Sequence, residues 1–192
     1  FISIFIFANA QSKITISDSR IGLLKTTSNK VLGYAFVAMN KNVVFTAAHN
    51  IIYDEHMLFE DAQGRQFSLR VVATDKVGDI GVLMTNDNIH DDPYNLNLNF
   101  SIDQETELFG FGSNDSSDSQ MKFRASLSGK ASKIQKNREY KSVNLNMKNA
   151  PVMSGMPVLN AYNEVIGLVT SSNNNDAIIK VSIMDGDMWK KM

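Results

Sequence analysis

Hydrophobic and polar residues alternate over short stretches of this chain. For example, Val143, Leu145 and Met147 are each separated by an asparagine. A period of two places every second side chain on one face of an extended segment, so this pattern predicts a β-strand with one buried face. Turn residues separate such stretches along most of the chain, and helical spacing is clear only in residues 183–192. The pattern therefore predicts an all-β fold that ends in a short helix.

The first half of the chain contains five predicted strands. The turn residues 40–42 and 62–64 each join two strands into a hairpin. Residues 47–51, which follow the first hairpin, should form one turn of helix, and the last strand follows Asp79 directly. The predicted strands span residues 31–37, 43–46, 57–60, 66–74 and 80–84.

The second half contains six predicted strands after a polar connection. Residues 86–99 are rich in Asn and Asp and contain Pro93, so we expect them to connect the two halves. Residues 114–119 are a predicted surface loop. The six strands span residues 107–111, 122–133, 140–147, 157–159, 164–170 and 177–181.

Charge and composition narrow the functional classes. The 192 residues carry a net charge of −1, and basic residues are scattered, so nothing favours binding to nucleic acid or to an anionic membrane. The chain has no cysteine, which excludes disulfides and metal sites built on thiolates. Stability must therefore come from apolar cores, and we expect no metal and no cofactor.

The N-terminus is a short apolar run. Residues 1–8 are apolar except for Ser3, and Ala8-Asn9-Ala10 is a small-residue pattern typical of signal-peptide cleavage. The run is too short to span a bilayer. We interpret residues 1–10 as the end of a secretory signal peptide, which predicts a secreted or periplasmic protein with no stable membrane insertion. An N-terminal strand or a buried tail is the alternative.

Three separate segments carry the residue types that nucleophilic catalysis needs. Ser154 stands before Gly155 and shortly before Pro157, a stretch that favours a tight turn with an outward hydroxyl. A serine hydroxyl is a weak nucleophile, so it needs a general base and a group that orients the base. His49 in T-A-A-H and Asp79 in D-I-G-V-L are the candidates for these two roles.

Together these segments resemble the chymotrypsin-like, or trypsin-fold, serine peptidases. The order His, Asp, Ser is the same, and D-I-G-V-L and S-G-M-P-V stand for the family's D-I-A-V-L and S-G-G-P-V. The likeness extends from about Val31 to the C-terminus and includes E-L-F-G-F-G at residues 107–112. The short spacings are most similar to compact bacterial HtrA-type and glutamyl endopeptidases.

The resemblance implies two antiparallel six-stranded Greek-key β-barrels packed face to face, followed by the short helix. Residues 11–95 would form the barrel that carries His49 and Asp79. Residues 96–192 would form the barrel that carries Ser154. The division at residues 95 and 96 falls in the predicted connection.

The resemblance also implies an exported serine endopeptidase that acts on protein or peptide substrates through an acyl-enzyme intermediate. His49 would take the proton of the Ser154 hydroxyl as that hydroxyl attacks a peptide carbonyl, and would return it to the leaving amine. Asp79 would hold the required tautomer of the imidazole and stabilise the imidazolium.

Other acidic and histidine residues are weaker candidates. Asp75 and Asp87 flank Asp79 in the chain, but neither directly opens an apolar strand. His56 and His90 stand in polar surroundings without a comparable motif, so we interpret both as surface residues.

By resemblance, the backbone N–H groups of Val152 and Ser154 would form the oxyanion hole. Val152 and Met156 stand where the family usually has glycine, and a β-branched residue resists the conformation that aims its N–H inward. We therefore expect the Val152 peptide to face away from the hole in the ligand-free protein. Met153 cannot accept the ammonium ion pair that matures trypsin-like zymogens, so that route of activation is not expected.

The same resemblance places a primary specificity pocket between two segments. Its residues would be Lys148, Asn149, Val169, Thr170, Ser171 and Ser172. Thr170 matches the family's serine that supports the acid of the triad. Lys148 near the pocket base would favour an acidic substrate side chain, unless it extends into solvent, in which case small apolar side chains fit equally well.

Two further functions stay open at this point. Val152 and Met156 are compatible with a catalytically weak or silent protein that keeps the cleft and binds extended peptides by strand addition. A structural or adhesive barrel domain with idle site residues is the third possibility. The presence of all three residues favours the peptidase, because a silent protein has no chemical reason to keep them.

Overall fold

The structure, a computed structural model, describes residues 18–53, 56–101, 107–111, 120–124, 126–135, 138–146, 154–173 and 178–184. Within these ranges almost all regular secondary structure is β-strand, and the only helix is the short 3₁₀ turn Ala48–Asn50. No helix in the same ranges is long and apolar enough to cross a membrane. The predicted all-β class is confirmed.

Six antiparallel strands of the first half close into a barrel. They are β1 (Ile21–Thr26), β2 (Val31–Val37), β3 (Val43–Ala47), β4 (Met57–Glu60), β5 (Gln66–Asp75) and β6 (Ile80–Met84). Their order around the barrel is β1-β2-β3-β6-β5-β4. Strand β1 is missing from the five strands predicted above, because five of its six residues are buried and its sequence therefore does not alternate.

Strand β2 explains how the barrel packs against the second half. Ala35 and Val37 belong to the apolar cluster inside the barrel. Tyr34 and Phe36 point to the opposite face, where they join a second apolar cluster that includes Leu159 and other residues of the second half. Since neighbouring residues of a strand face opposite ways, β2 buries both faces and its sequence is almost continuously apolar.

Seven strands form the sheet of the second half. They are β7 (Glu107–Phe111), β8 (Gln120–Arg124), β9 (Ser126–Gln135), β10 (Arg138–Asn146), β11 (Pro157–Leu159), β12 (Val165–Asn173) and β13 (Ile178–Ile183). Their order is β8-β7-β11-β12-β13-β10-β9.

The count differs from the six predicted strands because the segment expected as one strand at residues 122–133 changes partners part-way. Its first part, β8, pairs with β7, and its second part, β9, pairs with β10 at the other end of the sheet. The two outer strands are separated by a single residue in the chain, so the sheet must curve strongly. Of the helix expected at residues 183–192, Ile183 ends β13, and residues 185–192 lie outside the described residues.

The predicted connection between the halves bridges both of them. Tyr94 forms a parallel bridge with Ala38 of the first half, and Leu96 forms one with Val165 of the second. The backbone N–H of Val165 donates to the Asn95 carbonyl over 2.8 Å. This segment thus ties the barrel to the sheet, while the division of the chain at residues 95 and 96 stays a prediction.

The beginning of the described chain is anchored on the same connection. An Arg20 Nη2 lies 2.7 Å from Asp18 Oδ2, and the Arg20 guanidinium carbon lies 3.7 Å from the centre of the Tyr94 ring. The Tyr94 hydroxyl also donates to Asp18 Oδ2 over 2.7 Å. Burial raises the pKa of Asp18, but hydrogen bonds from Arg20 and Tyr94 outweigh burial, so this pKa lies below its ordinary value.

We expect Asp18→Asn to lower the free energy of unfolding at neutral pH, and the loss to shrink as the pH falls through the folded-state pKa of Asp18. A carboxyl whose pKa is depressed by folding stabilises the protein above its unfolded-state pKa and stops doing so when it is protonated. Urea unfolding of both proteins from neutral to acidic pH measures this. Asp87→Asn, at an exposed carboxylate outside the ion pairs of the described residues, is the control. A difference that does not depend on pH would contradict the prediction.

Candidate active site

His49 and Asp79 are brought together by the pairing of two strands of the first barrel. Ala47, the last residue of β3, is paired with Ile80, the first residue of β6. The 3₁₀ turn that follows β3 contains His49, and Asp79 immediately precedes β6. The two side chains therefore emerge at the same end of one ladder, and His49 Nδ1 lies 2.7 Å from Asp79 Oδ2.

Asp79 is held in place at three points. Its backbone carbonyl accepts from the Ala48 N–H over 3.1 Å, and its Oδ1 accepts from the His49 backbone N–H over 2.9 Å. Its Oδ2 faces the imidazole. Its backbone is in the left-handed region with φ of 55°, which Asp tolerates better than most residues. The surrounding hydrogen bonds thus fix a conformation that Asp79 would not prefer by itself.

Ser154 and Gly155 form a turn shortly before β11, and this turn packs against the first barrel. The Ser154 carbonyl accepts from the Tyr34 N–H over 2.9 Å, and the Gly155 N–H donates to the Val169 carbonyl over 2.8 Å. Gly155 has φ of 91°, and a Cβ there would collide with the Tyr34 carbonyl and approach Thr46 Oγ1 to 2.8 Å. Only glycine fits this turn without displacing the first barrel.

The Ser154 hydroxyl completes a line of three side chains. Its Oγ lies 2.8 Å from His49 Nε2, on the ring edge opposite to Asp79. An ionised carboxylate only accepts hydrogen bonds, so Asp79 selects the tautomer with the proton on Nδ1 and leaves Nε2 free to accept from the serine. The His49 side chain is 50% exposed and that of Asp79 is 26% exposed. The imidazole is therefore accessible to a molecule from solvent.

The next residue along, Asn50, also contacts the serine. It is only 5% exposed, and its Nδ2 donates to Thr46 Oγ1 over 3.1 Å and to the Ser154 carbonyl over 3.3 Å. Its Oδ1 lies 3.4 Å from Ser154 Oγ. The sequence analysis did not single out this residue, although an amide in the otherwise apolar stretch that follows the T-A-A-H motif was a usable signal.

Solved structures of serine proteases resemble this chain over nine tenths of its length. The serine protease of a human pathogenic astrovirus superposes with a TM-score of 0.62 at 16% identity, covering 90% of this chain and 93% of that one. A protease from M. tuberculosis in its active form gives 0.64 at 15% identity, covering 90% and 78%. The MamO protease domain from Magnetospirillum magneticum gives 0.62 at 12% identity, covering 91% and 96%.

The chain has the trypsin-like fold. No protein-family model matches the chain, and no curated protein matches its sequence. The likeness to trypsin-like serine proteases is thus one of structure, at identities that establish the fold alone. The predicted fold is confirmed.

Within the trypsin-like fold, the other predicted candidates lie apart from the line of three side chains. Asp75 is buried at the end of β5, where its Oδ1 accepts from the backbone N–H groups of Val77 and Gly78. Asp87 and His56 are exposed. His90 is half-buried, and its Nε2 lies 2.8 Å from the Ser19 hydroxyl. Among the described residues, none of these four is hydrogen-bonded to His49, Asp79 or Ser154.

One residue of the predicted oxyanion hole, Val152, lies outside the described residues, as do Met153 and the first segment of the predicted pocket, Lys148 and Asn149. The orientation expected for the Val152 peptide therefore stays a prediction. Met156, at the other departure from the family motif, is buried and its carbonyl accepts from the Val169 N–H over 2.9 Å.

The second segment of the predicted pocket, which contains its other four residues, lies on β12. Val169 and Thr170 are buried, Ser171 is exposed, and Ser172 follows on the same strand. Thr170 does not support Asp79, as the resemblance implied, because its hydroxyl donates to the Lys180 carbonyl of β13 over 3.3 Å. The physical reason is an irregularity between Val169 and Ser171, which removes Thr170 from the regular pairing of β12 with β13.

The described part of the chain contains no group of three or more His, Cys, Asp or Glu side chains that could hold a metal ion. Ser154, His49 and Asp79 place a hydroxyl, an imidazole and a carboxylate in line.

We expect Gly155→Ala to lower the free energy of unfolding by more than Gly64→Ala does. Both glycines have positive φ, 91° and 79°, but a Cβ at Gly64 would meet nothing within 4 Å. Gly64→Ala should therefore cost only the left-handed backbone strain, roughly 1–2 kcal/mol, and Gly155→Ala should cost about 1–3 kcal/mol more for the collision with the Tyr34 carbonyl. Urea unfolding of the two variants measures the difference. Equal losses would show that the turn does not press against the first barrel.

Proposed function

We propose that this protein is a serine endopeptidase in which Ser154 is the nucleophile, His49 the general base and acid, and Asp79 the orienting acid. The observation that carries the proposal is the continuous line from Ser154 Oγ through His49 to Asp79, with distances of 2.8 Å and 2.7 Å. The line joins the two halves of a trypsin-like fold, and serine proteases are among the solved structures with that fold.

The reaction follows from this arrangement. As Ser154 Oγ attacks the carbonyl carbon of a peptide bond, its proton moves to His49 Nε2, and the resulting imidazolium is stabilised by Asp79. His49 then gives the proton to the leaving amine, so the peptide C–N bond breaks and an acyl ester remains on Ser154. A water molecule, deprotonated by His49, attacks the ester, and the proton returns to Ser154 as the acid product leaves.

A strand edge that no other described strand pairs with supports a peptide substrate. Strand β11 pairs with β12 only as far as Leu168, and the Val169 backbone is bonded to Gly155 and Met156. Beyond Val169, no described strand pairs with that side of β12. An extended peptide that added to this edge would run past the Ser154 hydroxyl.

The same edge would serve the second candidate function, a catalytically weak or silent protein that binds peptides. Such a protein would bind peptides along β12 but would form no covalent bond through Ser154. We also propose that the protein is exported. This part of the proposal is based on the signal-peptide pattern of residues 1–10, which lie outside the described residues. The nucleophile test below separates the two functions.

We expect Ser154→Ala to abolish labelling by a fluorophosphonate probe and hydrolysis of casein. The probe forms a phosphonyl ester with an activated serine and releases fluoride, so it needs the hydroxyl. The melting temperature should change little, since this partly exposed hydroxyl adds little to the apolar core. Equal labelling of both proteins would identify another nucleophile, and peptide binding without labelling of the unmodified protein would favour the silent alternative.

We expect Asp79→Asn to lower kcat by up to about 10⁴-fold, because an amide can bond the imidazole in the wrong tautomer. Casein hydrolysis near neutral pH measures the effect. Asp75→Asn is the matched control. Asp75 Oδ1 accepts hydrogen bonds from two backbone N–H groups, and the amide oxygen of an asparagine would keep both bonds. If Asp79→Asn retained most of the rate, or if both variants lost it equally, the role of Asp79 would be wrong.

A further inference from the structure

Asn50 is the residue of the first barrel whose side chain contacts both the hydroxyl and the backbone of Ser154. Its amide nitrogen donates to the Ser154 carbonyl over 3.3 Å, and its amide oxygen lies 3.4 Å from Ser154 Oγ. The amide is buried, with Asn50 only 5% exposed. A buried amide keeps a fixed orientation only when its polar atoms are bonded, so these contacts restrict Asn50 and Ser154 together.

The surrounding hydrogen bonds fix which way the Asn50 amide points. Its nitrogen also donates to Thr46 Oγ1 over 3.1 Å, while the Thr46 hydroxyl donates its own proton to the Tyr34 carbonyl over 2.7 Å. Thr46 Oγ1 can therefore only accept from Asn50, which requires the NH₂ group on that side. The amide oxygen is left facing the Ser154 hydroxyl.

The Ser154 carbonyl has a second donor from the same barrel, the Tyr34 N–H at 2.9 Å. Two groups of the first barrel thus hold the backbone of a residue from the second half. The hydroxyl of that residue must reach His49 Nε2, which belongs to the first barrel as well.

We propose that Asn50 is a positioning residue, which holds the backbone of the Ser154 turn against the first barrel and so keeps the Ser154 hydroxyl within reach of His49. This inference rests on the proposed function, in which Ser154 is the nucleophile. Asn50 does not touch substrate. Because it acts through Ser154, its loss should lower kcat, which reports the chemical step, more than it changes substrate binding.

Because Gly33 has no side chain, it leaves room for the side-chain amide of Asn50. A Cβ on Gly33 would collide with the Nδ2 and Cγ atoms of Asn50 and lie 3.0 Å from its Oδ1. No other residue contributes to the nearest contacts of that Cβ. Gly33→Ala is therefore a means of displacing the amide without changing Asn50 itself.

The first test compares Asn50→Ala and Asn50→Asp in casein-derived peptide hydrolysis. We expect Asn50→Ala to lower kcat by about 10-fold to 100-fold, the size of effect that a small misplacement of a reacting group produces, with KM changed less than about threefold. Asn50→Asp should not rescue the rate, because it has the same shape but faces the Ser154 carbonyl with an oxygen that cannot donate when ionised. Full activity of Asn50→Asp would overturn the proposal and leave Asn50 a space-filling residue.

A matched control is available in the second half. Asn160 is also a buried asparagine, 2% exposed, and its side chain bonds Glu164 and the backbone of its own turn. We expect Asn160→Ala to lower stability without lowering kcat. If Asn50→Ala and Asn160→Ala reduced kcat equally, the effect would be one of general stability, and the proposal would fail.

The second test is a double-mutant cycle between Gly33 and Asn50. Gly33→Ala should slow fluorophosphonate labelling by about 10-fold or more in the unmodified protein, but by less than about threefold in the Asn50→Ala background, where the colliding atoms are absent. Equal factors in both backgrounds would mean that Gly33 acts independently of Asn50, which would contradict the proposal.

A measurement without catalysis separates failure of this inference from failure of the proposed function. Hydrogen exchange of the Tyr34 amide, which donates to the Ser154 carbonyl, reports how firmly the turn is docked. Asn50→Ala should accelerate that exchange by about tenfold relative to Asn160→Ala. If the fluorophosphonate does not label the unmodified protein but Tyr34 exchange responds in this way, the proposed peptidase function is wrong and the docking role of Asn50 stands. If the protein is active but Tyr34 exchange does not respond to Asn50→Ala, the docking role of Asn50 is wrong and the peptidase function stands.

Discussion

The site depends on the contact between the Ser154 turn and the first barrel. The Tyr34 N–H donates to the Ser154 carbonyl over 2.9 Å, and Gly155 comes so close to the Tyr34 carbonyl that a Cβ would not fit. Hydrogen bonding and close packing thus fix one residue of the second half relative to β2. Because Phe36 of the same strand lies in the apolar cluster shared by both halves, the burial of large side chains also supports this contact.

The site also contains two residues with left-handed backbone conformations. Asp79 is left-handed with φ of 55°, and Gly155 is at 91°. Each lies where strands end and where several backbone hydrogen bonds determine the path of the chain. The imidazole of His49 lies between them, 2.7 Å from the carboxylate and 2.8 Å from the hydroxyl. The first barrel by itself aligns His49 with Asp79, and the docked turn brings the Ser154 hydroxyl into line with them.

Much of this arrangement could be predicted from sequence, and the exceptions have physical reasons. The strands at residues 31–37, 57–60 and 80–84 have the predicted bounds, because turn residues delimit their apolar runs clearly. Strand β1 lacks alternation because it is buried almost throughout, and the segment at residues 122–133 gives no local sign that it changes partners. Motifs pointed to His49, Asp79 and Ser154. The amide of Asn50 beside the T-A-A-H motif was a local signal for a polar role, but its contact with the Ser154 turn depends on how the two halves pack. The hydrogen bond of Thr170 depends likewise on an irregular pairing of β12 with β13.

If Ser154 is the nucleophile, its hydroxyl, activated by His49, attacks a carbonyl carbon. The most direct measurement is mass spectrometry of the protein quenched in acid during turnover of p-nitrophenyl acetate, followed by digestion and sequencing of the modified peptide. Attack by Ser154 breaks the ester bond, releases p-nitrophenolate and leaves an acetyl group on the serine. We expect an acetyl group on Ser154 that appears in a burst and is absent from a His49→Ala variant. An acetyl group on another residue, or turnover with no adduct on Ser154, would contradict it.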